Sequence, residues 1–587
     1  MKRFISGILT ALLAAVLLLT SSCTGGIGEP TGTDDETTLT PETTASPESV
    51  LVIAEGGKSD YKIIFPENDG ECMKLAESFA GRVKSSYGVR PESGYDFLLP
   101  GREPGEKEIL IGPTNRAESQ EVLSGLRYGE YAVKIVGSKI VVCGNGTEAT
   151  RTAMALFEKT VFSGSGDVMS FSSKNEILSV KEYPIASFNI GGRSIGDFSI
   201  CVPADSGAAS YLAKFMVNRI SSRTGFTLPV IEGKNAENGC EIRIGIFDDS
   251  AMVASGSYSV YVQGTVLTAT AADVGGLIDA FYCLRDDVLG IKEKNIELDD
   301  SSSWTGKTTY DQISGKDSSV IRVVYQNVLG YETAYPTGDR ADIAYDFYMA
   351  LDADVYCFEE ASSSFRSGAA LFYKRLPANH LSEICYSSDG GTGNPIYYRT
   401  DRLELVESGY KKSRSGDKGT TFAVFRRKSD SKLFAVTNSH FAANSNAGGD
   451  ATLGNTYRVQ DAGALVEVVG NITGKYSGIY LVMGGDYNSV RGSEPYNEVK
   501  KSGAEQVRDT LGAWDIISPF HAHPEIDQKT GVYSLYSGTY YLGTNSIDHI
   551  FTLGSGFKPL SYTVVDNTLA LTTSDHTMHY IDLIPAN

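Results

Sequence analysis

Six short polar clusters in the second half of the chain carry groups able to hold a metal or move a proton: Asn327, Glu359-Glu360, Ser439-His440, Asp486-Tyr487-Asn488, Asp548-His549 and Ser574-Asp575-His576. Several end an apolar run, as Val355-Tyr356-Cys357-Phe358 does before Glu359 and as Tyr480 to Met483 does before Gly484-Gly485-Asp486. All seven histidines fall after residue 379, which marks this half as the chemical one. Polar groups repeated at the ends of apolar strands predict one rim of a sheet sandwich, where loops distant in sequence converge. A hard divalent cation takes carboxylate and carbonyl oxygens, and Mg²⁺ takes one or two carboxylates plus water and substrate phosphate. Glu360 and Asp575 suit that task. An Asp set against a His fixes its tautomer and raises its basicity, a role open to Asp548 beside His576. Asn488 and His440 are donors for the charge that builds on phosphoryl oxygens.

The elements that must hold these groups show as periods in the sequence. Ile321 to Tyr325, Asp354 to Phe358, Pro395 to Tyr398, Phe422 to Phe425, Phe434 to Ser439 and Tyr480 to Met483 read as strands. Ile343, Phe347, Ala350 and Leu351 recur on one helical face, and a second helix covers Ala462 to Val469. Before residue 300 two stretches repeat one order of strand, helix, strand, strand, helix. The first runs from Leu51-Val52-Ile53 through Ile109 to Gly112, Tyr131 to Val136 and Ile140 to Cys143. The second runs from Phe198 to Val202 through Ile242 to Gly245, Tyr258 to Val262 and Val266 to Thr268. Neither copy holds a histidine. They predict tandem small α/β domains over 50–165 and 185–296 that serve as scaffold, with glycan contact as the alternative. A Ser-, Asp- and Gly-rich stretch over 297–319 reads as a linker to a domain over 320–587.

Ahead of these lies Met1-Lys2-Arg3, then an apolar run from Phe4 to Leu19 and Thr20-Ser21-Ser22-Cys23, the pattern of an export signal over 1–22. Small residues before the cysteine resemble the bacterial lipobox, which implies acylation of Cys23. Residues 23–49 are rich in Thr, Gly, Pro and acids, without Lys or Arg, and predict a disordered tether. The expected place of the chain is therefore outside the bacterial cytoplasm, held at a membrane by lipid. No later stretch has the roughly 18 apolar residues a spanning helix needs. Seven further cysteines lie at irregular spacings without a Cys-x-x-Cys pair, against a disulfide framework. A net charge of −20 argues against broad, sequence-independent grip on nucleic acid.

Taken in order, Asn327, the strand ending in Glu360, Ser439-His440, Gly485-Asp486-Tyr487-Asn488, Ile547-Asp548-His549-Ile550 and Ser574-Asp575-His576 resemble the endonuclease/exonuclease/phosphatase (DNase I-like) superfamily over about 320–587. The resemblance implies a four-layered α/β sandwich and a Mg²⁺-dependent phosphoester hydrolase, with Mn²⁺ as a possible substitute, acting on a small molecule, lipid headgroup or nucleic acid. It implies that Glu360 binds the metal with Asn327 nearby and Asp575 contributing. Asp486 would orient or deprotonate water, Asn488 and His440 would hold phosphate oxygens, and His576 paired with Asp548 would act as acid, base or stabiliser. In DNase I-like nucleases an acid supports the His440 position, and Gly391-Thr392-Gly393-Asn394 supplies none. Asn394-Pro395-Ile396-Tyr397-Tyr398-Arg399 with Asp401 instead looks like the secreted and lipoprotein branch. Glu359, His521, His523 and His579 are expected at the surface, His549 packed beside the rim, and Lys411, Lys412, Arg414 and Lys418 on a solvated hairpin. An inert glycan-binding lipoprotein and an extracellular nuclease remain the alternatives.

Overall fold

The apolar runs of the C-terminal half pair into two six-stranded sheets. One has the order Leu381–Ile384, Ile396–Arg399, Val355–Glu359, Ile321–Asn327, His579–Pro585, Phe557–Val564. The other has the order Leu403–Lys412, Gly419–Arg427, Leu433–His440, Tyr480–Asp486, Asp548–Leu553, Glu505–Gln506. The computed structural model describes residues 48–98, 103–164, 166–248, 253–290, 293–309, 316–329, 337–361, 375–386, 394–413, 418–521 and 540–586. The anticipated signal segment and Cys23 lie outside them.

Register places the chemistry at one end. Asn327 stands beside Glu359 in a parallel pair, and Asn438 stands beside Gly484 in another. Asp486 and Asp548 face each other across an antiparallel pair. A parallel pair needs a long crossover, and the helices Thr337–Leu351 and Ala451–Lys475 supply them. The second helix begins where Asp450 accepts the free N–H groups of Thr452 and Leu453. Val323, Tyr325, Val355 and Cys357 from the first sheet meet Phe425, Val436, Val482 and Ile550 from the second in a dry layer between them. The two helices cover the outer faces. This is the four-layered α/β sandwich.

The N-terminal half contains two six-stranded sheets of one design. Their orders are Glu92–Tyr95, Lys62–Phe65, Glu108–Ile111, Lys139–Gly144, Tyr131–Val136, Ile177–Leu178, and Val230–Glu232, Ser199–Val202, Glu241–Ile244, Val266–Ala271, Ser257–Gln263, Ser303–Lys307. In each, the first four strands are parallel, the fifth runs against them and the sixth runs against the fifth. Two details differ from expectation. Val50–Glu55 pairs with Val168–Ser172, apart from the first sheet. The expected linker over 297–319 supplies an edge strand, Ser303–Lys307. Only alternate residues of that strand are partly covered, and Trp304 is its one large apolar side chain, so its apolar signal is weak.

The second of these sheets is built onto the sandwich. Helix Gly207–Thr224 packs on helix Thr337–Leu351, and Gly207 is required there because a Cβ would overlap the backbone of Asp342. Asp346 accepts from the Ala208 N–H at 2.9 Å and the Ser206 hydroxyl at 3.0 Å, at the start of the neighbouring helix. Lys214 pairs with Asp339. Burial pushes the Asp346 carboxyl up to about 6, against the pull of its two hydrogen bonds.

Candidate active site

Asp486 is the hub. It ends the strand Tyr480–Asp486, and Gly485 before it has a φ of 134°, with its Cα against the Ser439 carbonyl where a side chain would collide. That close approach brings Asp486 against the end of the strand carrying His440. Asp486 Oδ2 accepts from Asn327 Nδ2 at 3.1 Å and lies 3.3 Å from His440 Nε2 and 3.9 Å from His576 Nε2. Its other oxygen accepts the backbone N–H of Asn488 at 2.8 Å. Glu360, in the left-handed region at φ 57°, leaves the strand and brings Oε1 to 3.8 Å from His440 Nε2. His576 Nδ1 lies 2.9 Å from Asp548 Oδ1.

The loop bearing Ser574-Asp575-His576 is fixed by its main chain. Gln326 donates to the His576 carbonyl at 2.9 Å, and the Ser574 hydroxyl donates to the Asn327 carbonyl at 2.7 Å. Arg340, nearly fully buried, donates to the carbonyls of Thr573 at 2.8 Å and of Val328 and Leu329 at 3.3 Å. One side chain thus ties together the loops that carry Asn327 and Asp575. The Asp575 carbonyl accepts the N–H of His521 at 2.8 Å, and its carboxylate accepts from Ser574 at 3.3 Å.

Burial would raise the Asp486 carboxyl, but the imidazoles of His440 and His576 and the Lys418 ammonium outweigh it and hold it below the usual carboxylate range. Asp548 is raised by burial in spite of His576. Burial opposes charge on His576, yet Asp548, Asp575 and Asp486 together raise it well above the ordinary imidazole value. Such a set places a carboxylate acceptor and an imidazole able to carry a proton within 3.9 Å of each other, an arrangement suited to general acid–base chemistry.

Asn327, Glu360, His440, Asp486, Asn488, Asp548 and His576 are brought together, and Asp575 adjoins His576. Asn488 differs in detail from the role expected of it, since its side-chain amide donates to the Phe441 carbonyl at 3.1 Å. Several residues expected at the surface are inside. Glu359 is fully buried, raised well above the usual carboxylate range by burial and by Asp548 and Asp486, and neither of its oxygens has a hydrogen-bond partner among the described residues. It points between the sheets because it continues the inward alternation of Val355 and Cys357. His521 and His579 are also buried in strands, and His579 stacks on Tyr325 at 5.9 Å. His549 packs among Tyr487, Tyr496 and Phe551, its Nε2 2.7 Å from the Ser489 carbonyl. His523, Arg414 and residues 391–393 lie outside the described residues.

Lys418 is the chief correction. Expected on a solvated hairpin, it is 6% exposed, with Nζ 2.5 Å from His440 Nε2 and 3.3 Å from the Phe441 carbonyl. The only signal for it in the sequence is its place directly before the strand Gly419–Arg427, which pairs with the strand ending in His440. Arg340 and Gln326 were likewise missed, because what they hold is backbone.

No family profile matches the sequence, and no curated protein matches it. Solved structures do align with part of it. The human Nocturnin catalytic domain with bound sulfate shares 15% identity over 46% of this chain and 96% of its own, with a TM-score of 0.34. An endonuclease/exonuclease/phosphatase from Bacteroides vulgatus shares 19% over 45% and 99%, with a TM-score of 0.35. A mannosyl-6-phosphatase from Bacteroides thetaiotaomicron shares 18% over 45% and 99%, with a TM-score of 0.33. Solved proteins of the endonuclease/exonuclease/phosphatase group thus stand among the structures similar to a segment of this chain. At this level of similarity each neighbour's activity remains its own.

Proposed function

We propose that the chain is a metal-dependent phosphoester hydrolase held outside the cytoplasm by an acylated Cys23. The observation that carries the catalytic part is the meeting of Asn327, His440 and His576 on one buried oxygen of Asp486, from four separate strands and loops. The donor set suits a hard cation: Glu360 and Asp575 offer carboxylates and Asn327 an amide oxygen. Among the described residues no three carboxylate, imidazole or thiol groups stand ready as a metal cage. Few protein oxygens and a large share of water are the habit of Mg²⁺, and Mn²⁺ suits similar ligands. Once bound, the cation supplies Lewis acidity toward a phosphoryl oxygen.

The side chains do the rest. Asp486, held ionised, accepts a hydrogen bond from the attacking water and aligns it. Asn327 fixes that carboxylate through its Nδ2. His576 has Nδ1 committed to Asp548, so its proton at Nε2 is available to the phosphoryl group or the departing oxygen. Gln326, Ser574 and Arg340 keep the two loops from drifting, and positional errors near 1 Å cost on the order of 100-fold in rate.

The test is a panel of phosphate mono- and diesters with Mg²⁺ or Mn²⁺, run on the full chain beside His576→Ala and Glu360→Ala. Metal-dependent hydrolysis that falls at least about 100-fold in both variants is expected. No hydrolysis by the wild type, or equal rates in all three, would leave a surface binding protein as the better reading. Fractionation after radiolabelled palmitate feeding, with Cys23→Ala as control, tests the anchor.

A further inference from the structure

We propose that Phe520 and Tyr541 form the leaving-group wall of this site, which makes phosphoesters of alcohols that carry a planar ring its substrate class. The inference rests on the phosphoester reading above and names the side of the substrate which that reading leaves open. The strand Ile517–His521 runs antiparallel beside the loop that bears Asp575 and His576. The His521 N–H donates to the Asp575 carbonyl at 2.8 Å, and the Thr577 N–H donates to the Pro519 carbonyl at 2.9 Å. Between those two bonds Phe520 and His576 stand directly opposite as a non-hydrogen-bonded pair, the arrangement that brings side chains closest. Their ring centroids accordingly lie 5.0 Å apart, with the planes at 53°.

The row continues outward. Tyr541, on the paired strand Tyr540–Leu542, stacks on Phe520 with centroids 5.6 Å apart and planes 6° from parallel. His576 is 4% exposed, Phe520 half-buried and Tyr541 43% exposed, so the three rings step from the pocket to solvent. Two parallel rings whose outer member stays open offer a flat apolar surface. The complement of such a surface is another flat ring, as a nucleic acid base stacks on an exposed aromatic side chain. Of the two acceptors open to His576 Nε2, the departing oxygen is the one whose substituent would lie along this row. In the reaction the water oxygen joins phosphorus and the P–O bond to the ring-bearing alcohol breaks. One water proton ends on the departing oxygen, which leaves as the free alcohol.

The experiment compares benzyl, cyclohexylmethyl and butyl esters, each as the phosphate monoester and as the methyl phosphodiester, on the full chain at fixed Mg²⁺. Release of the test alcohol is followed by chromatography. These alcohols are of similar acidity, so their rates differ by fit and not by leaving ability. The kcat/KM ratio of benzyl to butyl within one protein is also independent of how much of that protein is folded. Wild type should favour benzyl over butyl by at least about tenfold, the effect of one stacking contact, with cyclohexylmethyl between them. Phe520→Leu and Tyr541→Leu should each bring the ratio toward one, and Tyr541→Phe should keep it. A wild-type ratio near one overturns the proposal and leaves the hydrolase reading standing. So does a ratio that survives both leucine variants, or a cyclohexylmethyl ester that matches the benzyl ester. A wild type that hydrolyses no ester of either series removes both.

Discussion

Asp346 offers a perturbation whose size can be worked out. It sits where helix Thr337–Leu351 meets the start of helix Gly207–Thr224, accepts from Ala208 N–H and the Ser206 hydroxyl, and has Asp342 as its charged neighbour on its own helix. Burial raises its carboxyl from 3.8 to about 6. Between those values the folded chain holds a proton that the unfolded chain has released. Its contribution is therefore complete below pH 4 and is lost as pH rises through 6. The full span is about 3 kcal/mol at 1.36 kcal/mol per unit, of which about 2 kcal/mol falls between pH 4.5 and 7.5. Asp346→Asn keeps an oxygen for both hydrogen bonds but cannot ionise. Urea unfolding of wild type and D346N at several pH values, read as their difference, cancels every other titrating group. The variant should gain about 2 kcal/mol on the wild type from pH 4.5 to 7.5. Parallel curves would refute the account of this joint.

Other outcomes follow from the site. Asp548→Asn removes the carboxylate that fixes His576 Nδ1 and should lower kcat by about 10²–10⁴-fold with little change in KM, measured by steady-state kinetics. Of the adjacent acids, Glu359→Gln should retain activity, because burial and the neighbouring Asp548 and Asp486 carboxylates already disfavour charge on Glu359, whereas Glu360→Gln should lose activity and weaken Mn²⁺ binding by calorimetry. Gly485→Ala should destabilise the chain by on the order of 3 kcal/mol, seen as a lower Tm, since both its φ and the Ser439 carbonyl exclude a side chain.

The sandwich and the order of its polar clusters were legible in the sequence because strands buried on both faces leave unbroken apolar runs whose ends are conspicuous. Glu359 and Glu360 show where that legibility stops. Two neighbouring acids look alike as letters, and which one turns inward depends on the pleat of one strand and on a positive φ at the next residue. Lys418 follows the same rule: a charged hairpin reads as solvated until the register shows which of its residues meets His440. Ser303–Lys307 reads as linker because a half-covered edge strand needs little apolar content. Arg340 and Gln326 act on carbonyl groups, and every residue has one, so no spacing announces them.

Helix Thr337–Leu351 works on two sides at once. Its Arg340 and Tyr348 reach into the sandwich, through three loop carbonyls and Gln326, while Asp339, Asp342 and Asp346 receive the neighbouring α/β layer. A shortened chain beginning near residue 320 would strip that layer away, leaving an oily, acid-studded flank open to water and the loops that carry Asn327 and Asp575 hung on a helix stripped of its backing. Whoever wishes to study the sandwich in isolation would do better to cut ahead of the second sheet than behind it.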